Sequence, residues 1–330
     1  MTKQISPCEQ LSFKHTPVLE KELLDYLSPP KGGVAVDCTG GGGGHAKIIL
    51  NALGEKGKIF ILDRDLEAIE HLNKVFSEEV ANKRVFILHS EFKNILEAIK
   101  THNIIGKIDS IYADLGVSGH QLDTPERGFS FNQDGPLDMR MNQSADKTAR
   151  EVINTFDEVE LANIFYKYGE ERRSRQIAKA IVKHRSLSTI ETTSHLVKVI
   201  ESVLGPHRGG KNPATRTFQA LRIYVNKELQ QLDKLLDSAF HILKPSGRLG
   251  IISFHSLEDR IVKQQFKKLA GLGEKSNIAR DAMFASPEES GYNSKAVAKI
   301  IKPFPIATSK EEAAQNKRSR SAKLRVIEKK

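Results

Sequence analysis

The sequence is poor in cysteine and contains no long apolar run. Its 330 residues include only two cysteines, Cys8 and Cys38, which are too few for a disulfide framework or a cluster of metal ligands. No apolar stretch approaches the length needed to cross a bilayer, and the N-terminus lacks the apolar segment of a signal peptide. These absences predict a cytoplasmic protein without membrane attachment and without a metal site.

The chain also has fewer acidic than basic residues. The chain has 51 Lys and Arg against 41 Asp and Glu, a formal net charge of +10, and residues 310–330 alone hold eight basic residues and three Glu. This excess favours a polyanionic partner, most simply nucleic acid. A solvated basic tail that only keeps the protein soluble explains the charge equally well, so this alternative stays open.

A glycine-rich turn joins a predicted strand to a predicted helix. The apolar run Val34–Asp37 ends at an acid, five glycines occupy 40–44, and a helical pattern begins at Ala46. The next apolar run, Lys58–Asp63, also ends at an acid. Backbone N–H groups at such a turn hold nucleotide-like ligands, and an acid after the second strand accepts hydrogen bonds from ribose hydroxyls. The pattern predicts a site for an adenosine-containing cofactor.

The glycines alone do not identify the cofactor. Gly41, Gly43 and Ala46 fit the dinucleotide fingerprint, which keeps an NAD-dependent oxidoreductase as an alternative. Asp37 directly before the glycines favours S-adenosyl-L-methionine, because an acid can lie near its methionine ammonium group and no pyrophosphate has to be bound. The sequence also offers no clear hydride-transfer site. A turn without any ligand is disfavoured by the conformational entropy cost of five consecutive glycines.

Strand-like and helical patterns alternate through the first third of the chain. Strands are predicted at Val34–Asp37, Lys58–Asp63, Arg84–His89 and Asp109–Asp114, with helices near 45–53, 66–76 and 91–100. This alternation indicates a parallel sheet of the doubly wound α/β class, in which ligands bind at the carboxyl ends of the strands. Asp37, Asp63, the segment 89–92 and Asp114 all fall on that edge.

The alternation stops after about residue 122. Residues 123–212 read as a helical insertion, and an apolar stripe in steps of three and four predicts one long helix over Thr215–Leu243. The sheet resumes at 248–254, and Lys299–Ile306 with Ala322–Glu328 are expected to close it as an antiparallel pair. We therefore predict a first core segment at 1–122, a substrate-recognising insertion at 123–212, and a second core segment at 213–330 with a basic C-terminal tail.

Two segments suggest chemistry on a nucleobase. Asp114 or a neighbouring carbonyl could accept a hydrogen bond from an exocyclic base amine and assist loss of its proton, although a capped turn explains the same residues. The following loops interleave arginines with aromatics, which suits base stacking and phosphate contact, whereas burial of the aromatics as anchors is an equal alternative. The candidate RNA contacts are Arg127, Phe129, Phe131, Arg140, Arg222 and His255.

Motifs along nearly the whole chain resemble one known family, the bacterial small-subunit 16S rRNA (cytosine-N4)-methyltransferases. The similarity extends from His15-Thr16-Pro17-Val18-Leu19 to Arg320–Arg325. The motifs that carry it are Gly43-Gly44-His45, Asp63-Arg64-Asp65, Asp114–Ser118, Gln121-Leu122-Asp123, Glu126–Phe131, Asp134–Met141, Tyr168–Glu171, Pro213–Ala220 and Ser253–Arg260. One departure is Gly119, where the family pattern leads us to expect serine.

The resemblance implies a Rossmann-like class I methyltransferase sheet with an inserted all-helical domain. It also implies transfer of a methyl group from S-adenosyl-L-methionine to N4 of a cytidine in the decoding region of the small ribosomal subunit. By correspondence of motifs, the implied cofactor contacts are Gly43, Gly44, His45, Asp63, Phe92, Asp114 and Gln121. Asp114 is also the candidate catalytic residue, a role that is less secure if its carboxylate binds the cofactor ammonium group. A non-catalytic RNA-binding protein of ribosome assembly is the remaining alternative.

Overall fold

The computed structural model describes residues 17–209, 212–272 and 296–330. Within them the chain forms two compact units. Among the described residues, the sheet unit comprises 17–63, Ala68–Leu115, 231–272 and 296–330, and the helical unit comprises Arg64–Glu67, 116–209 and 212–230. The chain thus leaves the sheet unit after Leu115 and returns at Gln231, whereas the sequence-based boundaries are 122/123 and 212/213. His15 and Thr16 of the family motif and Cys8 lie outside the described residues.

Seven strands form the sheet in the spatial order β3-β2-β1-β4-β5-β7-β6. They are β1 (Val34–Asp37), β2 (Lys58–Asp63), β3 (Val85–His89), β4 (Ile108–Asp114), β5 (Leu243–Ser253), β6 (Ala298–Ala307) and β7 (Lys323–Lys329). Strands β1 to β5 pair in parallel, and β7 runs antiparallel to both β5 and β6. This arrangement confirms the predicted Rossmann-like α/β class, including the antiparallel closing pair.

Helices occur in both units, and those predicted near 45–53, 66–76 and 91–100 are present. In chain order they are α1 (Glu20–Leu27), α2 (Gly44–Leu53), α3 (Leu66–Val75), α4 (Ser77–Ala81), α5 (Ile95–Lys100), α6 (Gly119–Asp123), α7 (Ala149–Thr155), α8 (Glu158–Gly169), α9 (Ser174–Arg185), α10 (Thr193–Leu204), α11 (Thr215–Asn226), α12 (Glu228–Ile242), α13 (Ser256–Leu269) and α14 (Lys310–Gln315). Among the described residues, no helix has the length and the apolar composition needed to cross a membrane.

The sheet unit buries apolar side chains on both faces of the sheet. Ala35 belongs to one core cluster and its neighbour Val36 to the other, because successive residues of a strand point to opposite faces. One cluster joins β1, β2 and β4 to α5, α12 and α13, and the second joins them to α1 and α2. Burial on both faces explains why the central strands read as continuous apolar runs.

The helical unit has a core of its own. Its buried side chains include Leu161, Phe165, Ile177, Leu196 and Phe218 from α8 to α11. Capping boxes start three of its helices, with Ser118 and Gln121 at α6, Thr148 and Glu151 at α7, and Asp157 and Glu160 at α8. Each box satisfies backbone N–H groups that the first helical turn leaves without partners.

The prediction of one helix over Thr215–Leu243 is wrong. The helix ends at Asn226, Lys227 adopts a left-handed conformation with φ of 51°, and α12 begins at Glu228. The apolar stripe spans both helices, but its two halves pack into different cores. Phe218 and Leu221 are buried in the helical unit, and Leu232 and Leu236 are buried in the sheet unit.

The basic C-terminus is not a solvated tail. Residues 323–329 form β7, which lies inside the sheet between β5 and β6. Leu324, Val326 and Ile327 are fully buried, and the guanidinium of Arg325 pairs with Asp259 at 2.8 Å. The end of the chain is therefore part of the core of the sheet unit.

Candidate cofactor site

The glycine turn after β1 follows the neighbouring strand closely. The N–H of Gly41 donates to the carboxylate of Asp63 at 2.8 Å, and the N–H of Gly40 donates to the carbonyl of Leu62 at 2.9 Å. A Cβ on Gly40 would lie 2.6 Å from Cγ2 of Ile61. Gly43, with φ of +79°, directly precedes α2. Only glycine fits this path, which brings the helix N-terminus to the carboxyl edge of the sheet.

Asp37 holds this turn from inside the protein. Its side chain is 1% exposed and accepts hydrogen bonds from the N–H of Thr39 and the hydroxyl of Tyr112, both at 2.9 Å. Burial, partly offset by these donors, raises the pKa of Asp37 to about 6. These two donors and its burial indicate that Asp37 supports the turn, and the contact with a cofactor ammonium group that the sequence suggests stays a prediction.

Asp114 and His45 face each other at the same edge. Nε2 of His45 donates to the carbonyl of Val18 at 2.9 Å, which leaves Nδ1 towards Oδ2 of Asp114 at 3.6 Å. The other carboxylate oxygen of Asp114 is buried without a hydrogen-bond partner among the described residues. Burial, reinforced by the negative charge of Glu258, raises the pKa of Asp114 to about 8. Burial also lowers the pKa of His45.

Strand register brings the other predicted cofactor residues to this edge. Asp63 and His89 are paired at the ends of β2 and β3, and Phe92 follows in the 3₁₀ turn Phe92–Asn94, where it is 9% exposed. Gly43, Gly44, His45, Asp63, Phe92 and Asp114 therefore all lie in the sheet unit at the carboxyl ends of β1 to β4. The buried carboxylate oxygen of Asp114 without a partner fits a cationic ligand, and Asp63 beside the turn fits a ribose. Direct contact with the cofactor stays a prediction for each residue.

Gln121 belongs to the helical unit and caps α6. Its carbonyl oxygen accepts the N–H of Ser118 at 3.2 Å, and its amide donates to Asp65 at 2.7 Å. The hydroxyl of Ser118 accepts the N–H of Gln121 in return. Gly119 is buried inside this capping box, so the departure from the family pattern leaves the turn well ordered. A cofactor contact of Gln121 stays a prediction.

Arg127 and Phe129 are interior residues of the helical unit. Arg127 is 4% exposed, and its guanidinium pairs with Asp65 at 2.8 Å and with Glu67 at 2.6 Å. It also donates to the carbonyls of Arg140 and Met141, both at 3.0 Å. Phe129 is 7% exposed in the apolar core. These positions correct the expectation of RNA contact for both residues and favour the alternative of buried anchors.

The four other predicted RNA contacts are also engaged with protein. Phe131 packs edge-on against Phe218, with centroids 4.9 Å apart, and Arg140 makes a bidentate pair with Asp138. Arg222 pairs with Glu228 at 2.9 Å, while His255 caps α13 together with Glu258. They keep partial exposure, so RNA contact stays a prediction.

Two residues of the sheet unit shape the site without a signal in the sequence. Thr39 accepts the N–H of Asp114 at 2.7 Å, which ties the glycine turn to the end of β4. Glu258 is 2% exposed and its charge raises the pKa of Asp114. Glu258 follows the capping residue of α13 by three positions, a spacing that predicts a helix cap but not a neighbour of the cofactor site.

Comparisons with known proteins agree with this geometry. A family profile described as the MraW methylase family matches residues 12–330. The chain is 44% identical over 324 residues to a protein of Lactobacillus delbrueckii subsp. bulgaricus named ribosomal RNA small subunit methyltransferase H, covering 97% of this chain and 100% of the relative. A protein of the same name from Ruthia magnifica subsp. Calyptogena magnifica is 42% identical over 315 residues, which cover 96% of this chain and 98% of the relative.

Proposed function

The chain belongs to the MraW methylase family, and from that premise we propose that it methylates N4 of a cytidine in the decoding region of small-subunit rRNA. It is a methyltransferase, and its cofactor is S-adenosyl-L-methionine. The named relatives act on ribosomal RNA of the small subunit. The choice of cytidine, of N4 and of the decoding region is our inference from the motifs quoted above.

One observation carries the proposal, namely the acids that end β2 and β4 on either side of the glycine turn after β1. Asp63 accepts the N–H of Gly41 through one carboxylate oxygen, and its carboxylate can also accept hydrogen bonds from the ribose hydroxyls of an adenosine. Phe92 offers an apolar ring near the same edge for the adenine. The N-terminus of α2 at Gly44 presents backbone N–H groups, which suit the methionine carboxylate.

Asp114 is the residue that we assign to the reacting region. When bound, S-adenosyl-L-methionine supplies a methyl group on a positively charged sulfur. A buried carboxyl with a pKa near 8 ionises when a cationic ligand approaches, because the ligand charge favours its charged form. An ionised Asp114 then attracts the ammonium or accepts a hydrogen bond from the base amine. Both roles need the same buried oxygen, so the residue orients one of the two groups.

We assign entry of the target base to the strand ends and recognition of the RNA to the helical insertion. The base has to leave its stack to reach the strand ends, as for other enzymes that modify bases. The helical insertion is our proposed recognition element, with Phe131, Arg140 and Arg222 as its candidate contacts. His255 is a further candidate contact in the sheet unit. Because we take ribosomal RNA as the substrate, we also propose a cytoplasmic location.

The reaction can be tested with radiolabelled S-adenosyl-L-methionine and unmodified small ribosomal subunits. After digestion of the RNA, label in N4-methylcytidine is expected. Label in another nucleoside would leave a methyltransferase but overturn the target. Asp63→Ala should lose cofactor binding by calorimetry and lose the label, whereas Asp25→Ala, an exposed acid on α1, is the matched control and should retain both. RNA affinity without any label in the wild type would favour the assembly-protein alternative.

A further inference from the structure

A basic turn lies at the active edge of the sheet unit. In the register of β7, Lys323 pairs with Ser253 at the end of β5 and with Ala307 at the end of β6. Asp114 pairs with Ile252, the residue before Ser253. Because β7 runs antiparallel, its first residue lies where the parallel strands end. The connection 308–322 between β6 and β7 is therefore on the same edge as the predicted cofactor residues.

This connection is tied to the cofactor edge by a hydrogen bond. Glu312 of α14 accepts the N–H of Leu19 through Oε1 at 2.9 Å. The preceding residue, Val18, supplies the carbonyl that holds His45. A single stretch of two residues thus contacts both His45 and the connection, which fixes the connection close to the site.

The turn itself has a well-defined backbone. After α14 the chain forms a 3₁₀ turn over Lys317–Ser321, with the fully buried Ser319 at its centre. The hydroxyl of Ser319 donates to the carbonyl of Asn316 at 2.8 Å, and the hydroxyl of Thr308 donates to the carbonyl of Ser319 at 2.7 Å. The side chain of Asn316 caps the turn by accepting the N–H of Arg318 at 3.1 Å. These bonds reduce the entropy that would be lost when a ligand orders the turn.

The charged side chains of the turn are all basic. Residues 317–323 contain four basic residues and no acid. Lys317, Arg318 and Arg320 are exposed, and Lys323 lies 3.3 Å from Asp259. Within the described ranges, no acidic side chain pairs with Lys317 or Arg320. The ammonium group of Lys317 and the guanidinium group of Arg320, held on a fixed backbone, match the phosphates of a nucleic acid strand.

We propose that the turn Lys317–Ser321 is a phosphate-binding surface that holds the RNA backbone beside the nucleotide whose base enters the active edge. This inference rests on the proposed function, since it takes RNA as the substrate. A base that leaves its stack distorts the flanking backbone, and cations at the edge stabilise the distorted strand. Solubility alone would not require the charges to be grouped at this edge on a turn with a buried serine.

A pair of double variants tests the proposal. Lys317→Gln/Arg320→Gln removes two charges from the turn. Lys56→Gln/Lys107→Gln removes two charges from exposed residues that precede β2 and β4, on the opposite edge of the same sheet. Binding of unmodified small-subunit rRNA is measured for each variant over a series of KCl concentrations. Calorimetry with S-adenosyl-L-methionine and thermal unfolding verify that both variants are folded.

The two glutamine variants should differ in the salt dependence of their RNA affinity. Each phosphate contact contributes about 0.7 to 0.9 to the slope of log K against log salt, so the turn variant should lose about 1.4 to 1.8 from the slope and bind RNA roughly tenfold more weakly. The opposite-edge variant should keep the wild-type slope. Lys317→Arg/Arg320→Lys, which conserves both charges, should keep most of the affinity.

The failure of this inference can be distinguished from failure of the proposed function. Equal slopes for the two glutamine variants, with wild-type protein that methylates rRNA, would overturn the phosphate surface and leave the reaction intact. A wild type that binds rRNA and methylates none, with the slope still reduced only in the turn variant, would support the surface and overturn the reaction.

Discussion

Replacing Asp114 by asparagine should stabilise the cofactor-free protein and weaken cofactor binding. Asp114 keeps one buried oxygen without a partner, and burial raises its pKa from 3.8 to about 8. The folded protein therefore holds a proton on this carboxyl at pH values where the unfolded chain has already released it. Asparagine has a similar shape and does not titrate, so it removes this penalty.

The size of the effect follows from proton linkage. Between pH 4 and pH 8 the unfolded chain binds fewer protons at Asp114, so the free energy of unfolding falls as pH rises. A full proton difference corresponds to about 1.4 kcal/mol per pH unit, or nearly 3 kcal/mol between pH 5 and pH 7. Because the side chain is 22% exposed, water reduces the penalty, and we expect about 1–2 kcal/mol over this range.

Urea denaturation of wild type and Asp114→Asn at pH 5, 6 and 7 measures this difference directly. Asp37, His45 and Glu258 interact with the carboxyl and are present in both proteins, so only the difference between the two curves is informative. The advantage of the variant should grow with pH, and S-adenosyl-L-methionine should stabilise the wild type more than the variant. A difference that does not change with pH would refute a raised pKa at Asp114 as its cause.

Three further predictions, two of them with a comparison variant, concern the local structure and are measured by urea denaturation. Gly40→Ala places a Cβ 2.6 Å from Ile61 and 2.7 Å from Leu72, and should cost about 1–3 kcal/mol; unchanged stability would mean that the turn has room to move. Lys227→Gly relieves a left-handed residue with φ of 51° and should gain about 0.5–1 kcal/mol, whereas Lys183→Gly inside α9 should lose a similar amount. Asn226→Ala removes the donor to Met139 and the acceptor for Met141, and should cost about 2–4 kcal/mol. Asn226→Asp keeps the acceptor for Met141 but places a buried carboxylate oxygen against the carbonyl of Met139, and should lose at least as much.

The sheet and the position of its cofactor edge could be predicted from the sequence because their signals are local. Each central strand is an apolar run, and β1, β2 and β4 end at an acid. The carboxyl ends of parallel strands meet at one edge, so the order of Asp63, Phe92 and Asp114 along the chain already placed them together. The hydrogen bond from Thr39 to the end of β4 joins residues 75 positions apart, and no local pattern indicates it.

The predictions that failed depend on residue patterns that are compatible with more than one structural environment. The sequence marks Arg127 as an RNA contact because it stands beside aromatics, but Asp65 and Glu67 from another part of the helical unit neutralise it. The stripe from 215 to 243 keeps its period across the break at Lys227, because hydrophobic spacing does not report which core each half enters. The strand over Ala322–Glu328 was predicted correctly, but the charges of the same segment also suggested a solvated tail, which the burial of Leu324, Val326 and Ile327 excludes.

The carboxyl edge of the sheet unit carries groups of opposite charge. Asp37, Asp63 and Asp114 end β1, β2 and β4, and Glu258 lies in the first turn of α13. Burial is the main cause of the raised pKa values of Asp37 and Asp114, and a cationic ligand favours the ionised form of these carboxyl groups. The ionised carboxylates attract the cationic cofactor and repel RNA phosphates, and the basic turn at 317–321 on the same edge offsets that repulsion. A cofactor that is cationic and a substrate that is polyanionic can thus be held at one edge, with the acids at the strand ends and the cations on the turn before β7.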